Sequence, residues 1–265
     1  MNEAELLFTG VLGCSRAELY LNKNTRLKKD HSRVIAAALK RRISGEPLQY
    51  ILGSVEFMGL EFKVAPGVLI PRPETELLVE IALKFSALLK NQLGDFRILD
   101  LCTGSGCIAV SLAQQLPGAA VSAADISSEA LQIARENSEF HHAEVDFLQG
   151  DLFSASGMSG RKFELIVCNP PYVADREIDY LQTELSFEPR LALEGGKDGL
   201  DFYRRIVKEA SNFLSGAGYL VMEMGFGQSK AIEDILLKST KFEIIEIDRD
   251  YNQIERIIVA RRINL

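Results

Sequence analysis

No apolar stretch in the 265-residue chain approaches the ~18–20 residues needed to cross a bilayer, which excludes a helical membrane protein. The opening residues, Met1-Asn2-Glu3-Ala4-Glu5, offer no basic n-region, so no secretory signal is read. Cysteine is scarce. The four present (Cys14, Cys102, Cys107, Cys168) form no CxxC pair and no metal spacing, which excludes a disulfide framework and points to free thiols in a reducing cytoplasm. His31, His141 and His142 lack ligand spacing and read as surface residues, so neither a metal centre nor a Ser-His-Asp arrangement is expected. Internal repeats and low-complexity stretches are also missing. What remains, 47% apolar and 25% charged residues, is ordinary for a soluble globular protein of one large domain plus a small one.

Charge is unevenly spread over the net −7. Residues 1–60 hold nine Lys/Arg against six Asp/Glu, a balance of +3, while the remainder holds 21 against 31, a balance of −10. An acidic main body argues against gripping long nucleic acid by its phosphates, so no direct nucleic-acid substrate is expected. The basic start reads as a solvated helix face or as a surface for an acidic partner.

Along the chain, Leu6, Leu7, Val11 and Leu12 form one helical stripe. Ser15 with Glu18 makes a capping box for a second helix, and Val34, Ile35, Ala38, Leu39 and Ile43 mark a third ending near Gly45. Residues 47–70 alternate apolar with polar or small residues between glycines. Tyr50–Gly53, Val55–Phe57 and Leu60–Val64 therefore predict a β-hairpin. Pro71-Arg72-Pro73-Glu74-Thr75-Glu76 reads as a stiff linker and then a helix start, with acids in the first turn where the helix dipole favours them. From residue 97 strands (97–101, 120–125, 145–149, 163–168, 218–224) alternate with helices (106–115, 128–139, 200–214, 228–238). Such alternation predicts an α/β fold with a parallel sheet covered on both faces. The last two strands, Phe242–Arg249 and Ile254–Arg261, are joined by so short a connection that they must be antiparallel.

The stretch that organises the main domain is Val167-Cys168-Asn169-Pro170-Pro171-Tyr172. A buried strand ends at an Asn because the two prolines lack the N–H that a ladder needs, and each also holds its predecessor out of the helical region. Asn169 is thus presented at a strand tip in a stiff backbone with Tyr172 close behind. A strand-ending turn explains the motif equally well on its own, whereas a rigid amide beside a ring suits recognition of a flat amide or amino group. Asp100-Leu101-Cys102-Thr103-Gly104-Ser105-Gly106 lies between a strand and its helix, where glycines allow close approach of a ligand. The turn satisfies the dinucleotide fingerprint, which alone is weak. Asp100, Asp125 and Asp151 stand at the ends of successive strands, where such sheets bind ligands. Asp125 suits a ribose diol. Asp100 would repel a pyrophosphate but attract an ammonium, so an adenosine with a cationic amino-acid tail, S-adenosylmethionine, fits better than NAD. Arg72 reads either as a contact to the substrate loop or as a solvated charge, Glu223 as a structural hydrogen-bonding residue ahead of a pocket-lining one, and Cys107 as a small buried side chain ahead of a thiol activated at a helix N-terminus.

Taken together, the Asp100–Gly106 turn, Asp125, Gly150-Asp151 and Asn169–Tyr172 resemble the class I methyltransferases of planar nitrogen. With Gly45-Glu46-Pro47-Leu48-Gln49-Tyr50-Ile51-Leu52-Gly53, Leu69–Glu76 and Phe187-Glu188-Pro189-Arg190, the chain is similar to the peptide chain release factor N5-glutamine methyltransferases over about residues 4–261. That resemblance implies a Rossmann-like, mostly parallel seven-stranded sheet with a terminal antiparallel strand, a small N-terminal helical domain and a hairpin linker. The corresponding boundaries are 1–46 (substrate recognition), 47–72 (linker) and 73–265 (methyltransferase). It implies that Cys102, Thr103, Gly104, Ser105, Gly106 and Asp125 hold S-adenosylmethionine, with Asp100 and Asn169 beside it and the Asp151-Leu152 turn bordering the adenine. Asn169, Pro170, Pro171 and Tyr172 would hold the substrate glutamine with Arg72 nearby, and Asn169, Pro170 and Tyr172 would serve catalysis. It further implies a cytoplasmic monomer acting on class 1 release factors, yielding S-adenosylhomocysteine. Cys102 stands where many members have glycine, and Leu152 where some have an aromatic. An adenine-N6 nucleic-acid methyltransferase, or an enzyme for a ribosomal protein glutamine, is the alternative.

Overall fold

The computed structural model describes residues 2–93 and 96–263. Four short helices open the chain: α1 (Glu3–Leu12), α2 (Arg16–Leu21), α3 (Lys29–Ile43) and α4 (Leu48–Leu52). Asn2 with Glu5 and Ser15 with Glu18 form reciprocal capping boxes, which give the N-cap and third-residue N–H groups of the first two helices partners. Leu7, Ala38 and Leu48 are the buried centre of this module, with Leu6, Val11, Ile51 and Leu52 packed around them.

This packing corrects one expectation. Tyr50–Gly53 is not a hairpin strand: Leu48–Leu52 is helical and ends at Gly53, whose φ of 82° is a left-handed stop. Burial of Leu48 and Tyr50 satisfies a period of two over so short a run, and packing on α1 and α3 decides for the helix. The hairpin comprises only β1 (Ser54–Phe57) and β2 (Leu60–Lys63). Met58 and Gly59 join them with both φ values positive, as a two-residue turn matched to strand twist requires.

The main body follows as α5 (Pro73–Leu93), β3 (Phe96–Leu101), α6 (Cys107–Gln115), β4 (Ala119–Asp125), α7 (Ser128–Phe140), β5 (Val145–Gln149), β6 (Phe163–Cys168), α8 (Asp175–Ile178), α9 (Asp201–Ala210), β7 (Leu214–Glu223), α10 (Ser229–Ser239), β8 (Phe242–Arg249) and β9 (Glu255–Arg262). The seven-stranded sheet has the order β5-β4-β3-β6-β7-β9-β8, and β9 alone runs against its neighbours. One sheet face packs under α9 and α10 through Leu99, Ile166, Tyr203 and Ile232; the other packs under α5 and α6 through Ile98, Val167, Leu78 and Leu112. Helix α9 ends four residues short of the expected 214, and β7 starts early instead. Its pairing with β6 slips between Phe163 and Leu165, at a stretch where Gly218 lets the Phe163 and Glu164 carbonyls approach.

The order in which strands are added reverses at β3 and β6, parallel neighbours with Leu101 opposite Cys168. Ligands bind at the carboxyl ends of strands at such a switch point, and the glycine turn and the Asn-Pro-Pro-Tyr strip both emerge there.

Candidate active site

All six residues of β6 are buried, and the chain leaves it as Asn169-Pro170-Pro171-Tyr172. Asn169 Nδ2 donates to Thr75 Oγ1 of α5 at 3.2 Å. The Tyr172 carbonyl accepts from Gln228 Nε2 at 2.9 Å, and Val173 bridges to the 193–195 segment (Val173 N to Leu193 O, 2.9 Å; Gly195 N to Val173 O, 2.8 Å). Gly195 and Gly199 have to be glycines here: a Cβ on either would fall within 2.7 or 2.4 Å of Tyr172 backbone atoms. The strip is therefore held on both sides.

Two cavities meet at it. The first, about 470 Å³, is lined by Cys102, Gly104, Asp125, Asp151, Leu152, Asn169 and Pro171, with Val68, Ile126 and Leu191 among its apolar walls. The second, about 650 Å³, lies on the Tyr172 side and is lined by Gln49, Arg72, Glu74, Tyr172, Glu188, Glu223 and Arg256. A larger, open groove of about 970 Å³ sits at the opposite, amino ends of the strands and includes no residue of the strip.

In the first cavity both Asp125 oxygens are aimed by backbone donors, Gly104 N–H at 2.8 Å and Ser127 N–H at 2.9 Å. Burial raises its pKa, and those N–H groups oppose the rise. Asp151 pairs with Arg205 at 2.7 Å, so the end of β5 is tied to α9. In the second cavity Arg72 is ion-paired with Glu188, whose other oxygen accepts the Ile70 N–H at 3.0 Å. Glu188 thereby joins the 69–76 segment to the loop after the strip.

A family model for the methyltransferase small domain matches residues 80–188, and one for the PrmC N-terminal domain matches residues 1–53. A release factor glutamine methyltransferase of Thermodesulfovibrio yellowstonii is 40% identical over 264 residues, 99% of this chain and 92% of that protein. One of Geobacter sulfurreducens is 42% identical over 260 residues, covering 98% and 88%. The chain belongs to the release factor glutamine methyltransferases. Among solved structures, a methyltransferase of Pyrococcus furiosus aligns with a TM-score of 0.55 at 18% identity over 89% of this chain and all of that one. A ribosomal protein L11 methylase of Lactobacillus delbrueckii aligns at 0.53 and 18% identity over 72% and 80%. Both likenesses concern the fold.

Of the positions expected to hold a cofactor in this release factor glutamine methyltransferase, Cys102, Gly104, Asp125, Asp151, Leu152 and Asn169 line the first cavity. Asp100, Thr103, Ser105 and Gly106 do not; they shape the turn from beneath. Asp100 alternates with Leu99 and Leu101 along β3 and so points under α6 with Ile98, which the expectation of a direct ammonium contact overlooked. It is fully buried, accepts from Thr103 Oγ1 at 2.6 Å, and has no hydrogen-bond partner at Oδ1 among the described residues. Burial pushes its carboxyl up to about 7. Gly106 packs on Ala134 of α7, whose Cβ would lie 2.9 Å from an added one. Cys102 and Leu152 adopt φ of 60° and 50°. A non-glycine residue there costs about 1–2 kcal/mol, which fits the glycine that the resemblance leads one to expect at the first position. Arg72 reaches the second cavity, paired rather than solvated.

Sequence reasoning gave Thr75 no role; for Glu223 it favoured a structural role over a place in the pocket lining, and the residue lines the second cavity. Thr75 had a signal in its place in the Pro-Arg-Pro-Glu-Thr-Glu motif, but its partner Asn169 is 94 residues away.

Proposed function

We propose that this chain methylates the side-chain amide nitrogen of the glutamine in the Gly-Gly-Gln motif of class 1 peptide chain release factors, with S-adenosylmethionine as donor and S-adenosylhomocysteine as product. The observation that carries this reading is that the Asn169–Tyr172 strip borders two cavities, Asn169 and Pro171 lining one suited to the donor and Tyr172 lining one open to a protein side chain. The names of the relatives supply the class of acceptor.

The first cavity fits the donor. Its volume of about 470 Å³ falls within the ~300–1,000 Å³ of small-molecule sites. Asp125 keeps free lone pairs for a ribose diol after accepting its two backbone N–H groups. Beside Gly104 the space where a Cβ would stand is open, so a ligand can approach the backbone. Asp125 would hold the ribose, the Asp151-Leu152 turn would border the adenine, and Cys102 to Gly104 would border the amino-acid tail. When bound, S-adenosylmethionine supplies a methyl group activated by a sulfonium.

A glutamine amide nitrogen is a poor nucleophile because its lone pair is delocalised into the carbonyl. Asn169 Oδ1 and the Pro170 carbonyl each accept one N–H of the substrate amide, fixing the nitrogen toward the first cavity. Such positioning contributes several kcal/mol, on the order of 7 for well-oriented groups. The same two oxygens face a nitrogen that gains positive charge during transfer and stabilise it. Tyr172 packs on the amide plane. The proton is lost after transfer, when the nitrogen is acidic, so no strong base is needed beforehand. The N-terminal module supplies Pro47 and Gln49 to the second cavity, and its Arg42 joins Glu184 of the substrate-side loop at 2.5 Å, which suits a role in recognising the acceptor protein.

The test incubates the protein and labelled S-adenosylmethionine with a release factor, its Gly-Gly-Gln to Gly-Gly-Ala variant, or DNA. Label in the first alone is expected; label in DNA alone refutes the reading. Asn169→Ala should bind the donor by calorimetry yet fail to transfer, and full transfer would remove Asn169 from the mechanism.

A further inference from the structure

An Asn at the tip of β6 serves the reaction only if its amide faces the right way. Turned by half a rotation, it would present N–H groups to a substrate that also offers N–H groups. Asn169 Nδ2 donates to Thr75 Oγ1 at 3.2 Å, which leaves Oδ1 for the substrate. Thr75 is 2% exposed, so its own hydroxyl proton needs a partner within the protein. Glu223, the last residue of β7 and 2% exposed, is the candidate: its carboxyl group stands beside the Thr75 and Tyr172 side chains, and its Oε2 is buried with no hydrogen-bond partner among the described residues, so it is an acceptor in need of the proton that Thr75 has to place.

We infer that Thr75 and Glu223 are positioning residues for methyl transfer, which orient the Asn169 amide through a one-way chain of hydrogen bonds and hold the Tyr172 ring at the other end of the strip. The inference rests on the proposed glutamine methylation. An ionised Glu223 can only accept, so Thr75 must donate to it and accept from Asn169. A protonated Glu223 can donate to Thr75, which frees the Thr75 hydroxyl to point at the amide and removes the preference between its two orientations. Around Glu223 stand Glu74 from α5, Arg256 from β9, Tyr172, Tyr203 from α9 and Cys107 from α6. Burial pushes the Glu223 carboxyl up to about 7, with the nearby Thr75 hydroxyl and Arg256 opposing. The chain therefore reverses near neutral pH.

The experiment compares wild type, Thr75→Val, Thr75→Ser and Glu223→Gln in the full-length protein. Donor affinity is read by calorimetry, and transfer to a release factor at saturating substrates is followed from about pH 5.5 to about 9. Thr75→Val, which keeps shape but lacks the hydroxyl, should lower kcat roughly tenfold with donor affinity unchanged, and Thr75→Ser should restore most of it. Wild type should lose kcat below about pH 7, and Glu223→Gln should lose that acid limb. Wild-type kcat in Thr75→Val, equal losses in Val and Ser, or an unaltered acid limb in Glu223→Gln would overturn the inference. A wild-type protein that labels DNA alone would instead defeat the glutamine reading, and the variants would then be ranked on that acceptor.

Discussion

Replacing Glu188 probes how the site is tied together. Its side chain is 1% exposed and serves two partners, the Arg72 guanidinium and the Ile70 N–H at 3.0 Å. Ile70 is itself 1% exposed, so Glu188→Ala strands a buried N–H at a cost of about 1–3 kcal/mol. Arg72 also loses its partner, but its side chain is 33% exposed and water can compensate, which limits that loss to about 1 kcal/mol. The sum is roughly 3 kcal/mol, or a fall in Tm of about 6–12 °C for a chain of this size. Glu188→Gln keeps an acceptor for Ile70 and should cost only about 1 kcal/mol. Urea and thermal unfolding of the three proteins measure both values. Because the clamp sets one wall of the second cavity, Glu188→Ala should also raise the KM for the acceptor protein while donor affinity stays put. Equal stability of the Ala and Gln variants, or an Ala variant within about 0.5 kcal/mol of wild type, would refute this account of the clamp.

Asp125→Ala removes the proposed acceptor of two ribose hydroxyls and the anchor of Gly104. Donor affinity by calorimetry should fall roughly a hundredfold, at about 1.5 kcal/mol for each bond to the charged group; a change under about threefold would show that the ribose lies elsewhere. Asp100 gives a pH signature. Its folded pKa of about 7 exceeds the ~3.9 of an unfolded Asp, so between these values the unfolded chain sheds a proton that the folded one keeps. Stability on this account is highest below about pH 4 and is lost as pH rises to about 7. Asp100→Asn removes the effect, so its stability relative to wild type should improve by a few kcal/mol between about pH 4 and about 8 in urea unfolding. A pH-independent difference would show that Asp100 does not keep its proton when folded.

Much of the fold was legible because its signals act over a few residues. Ser15 with Glu18 caps α2, Pro73 opens α5, and the prolines after Asn169 end β6, each through the donor or dihedral that the residue carries or lacks. The alternation of strands and helices, with a short last connection, implied a parallel sheet with one reversed strand, and β9 is that strand. The glycine turn with Asp125 and Asp151 could be gathered because ligands collect at strand ends, and the family resemblance added Cys102, Leu152 and Asn169 to the same cavity lining.

Other features depend on which faces meet. Residues 48–52 carry a pattern that suits strand or helix, and contact with α1 and α3 selected the helix. Asp100 was placed by the alternation of β3, which turned it under α6 instead of into the cavity. The second cavity draws Gln49, Arg72, Tyr172, Glu188, Glu223 and Arg256 from six separate stretches, and its central ion pair spans 116 residues. Local chemistry in this chain determined where the backbone turns and which residues stand at strand tips. The partners of those residues, Thr75 for Asn169 and Glu188 for Arg72, were decided only by tertiary packing, because a hydrogen bond between distant residues forms when burial of other side chains has already brought them together.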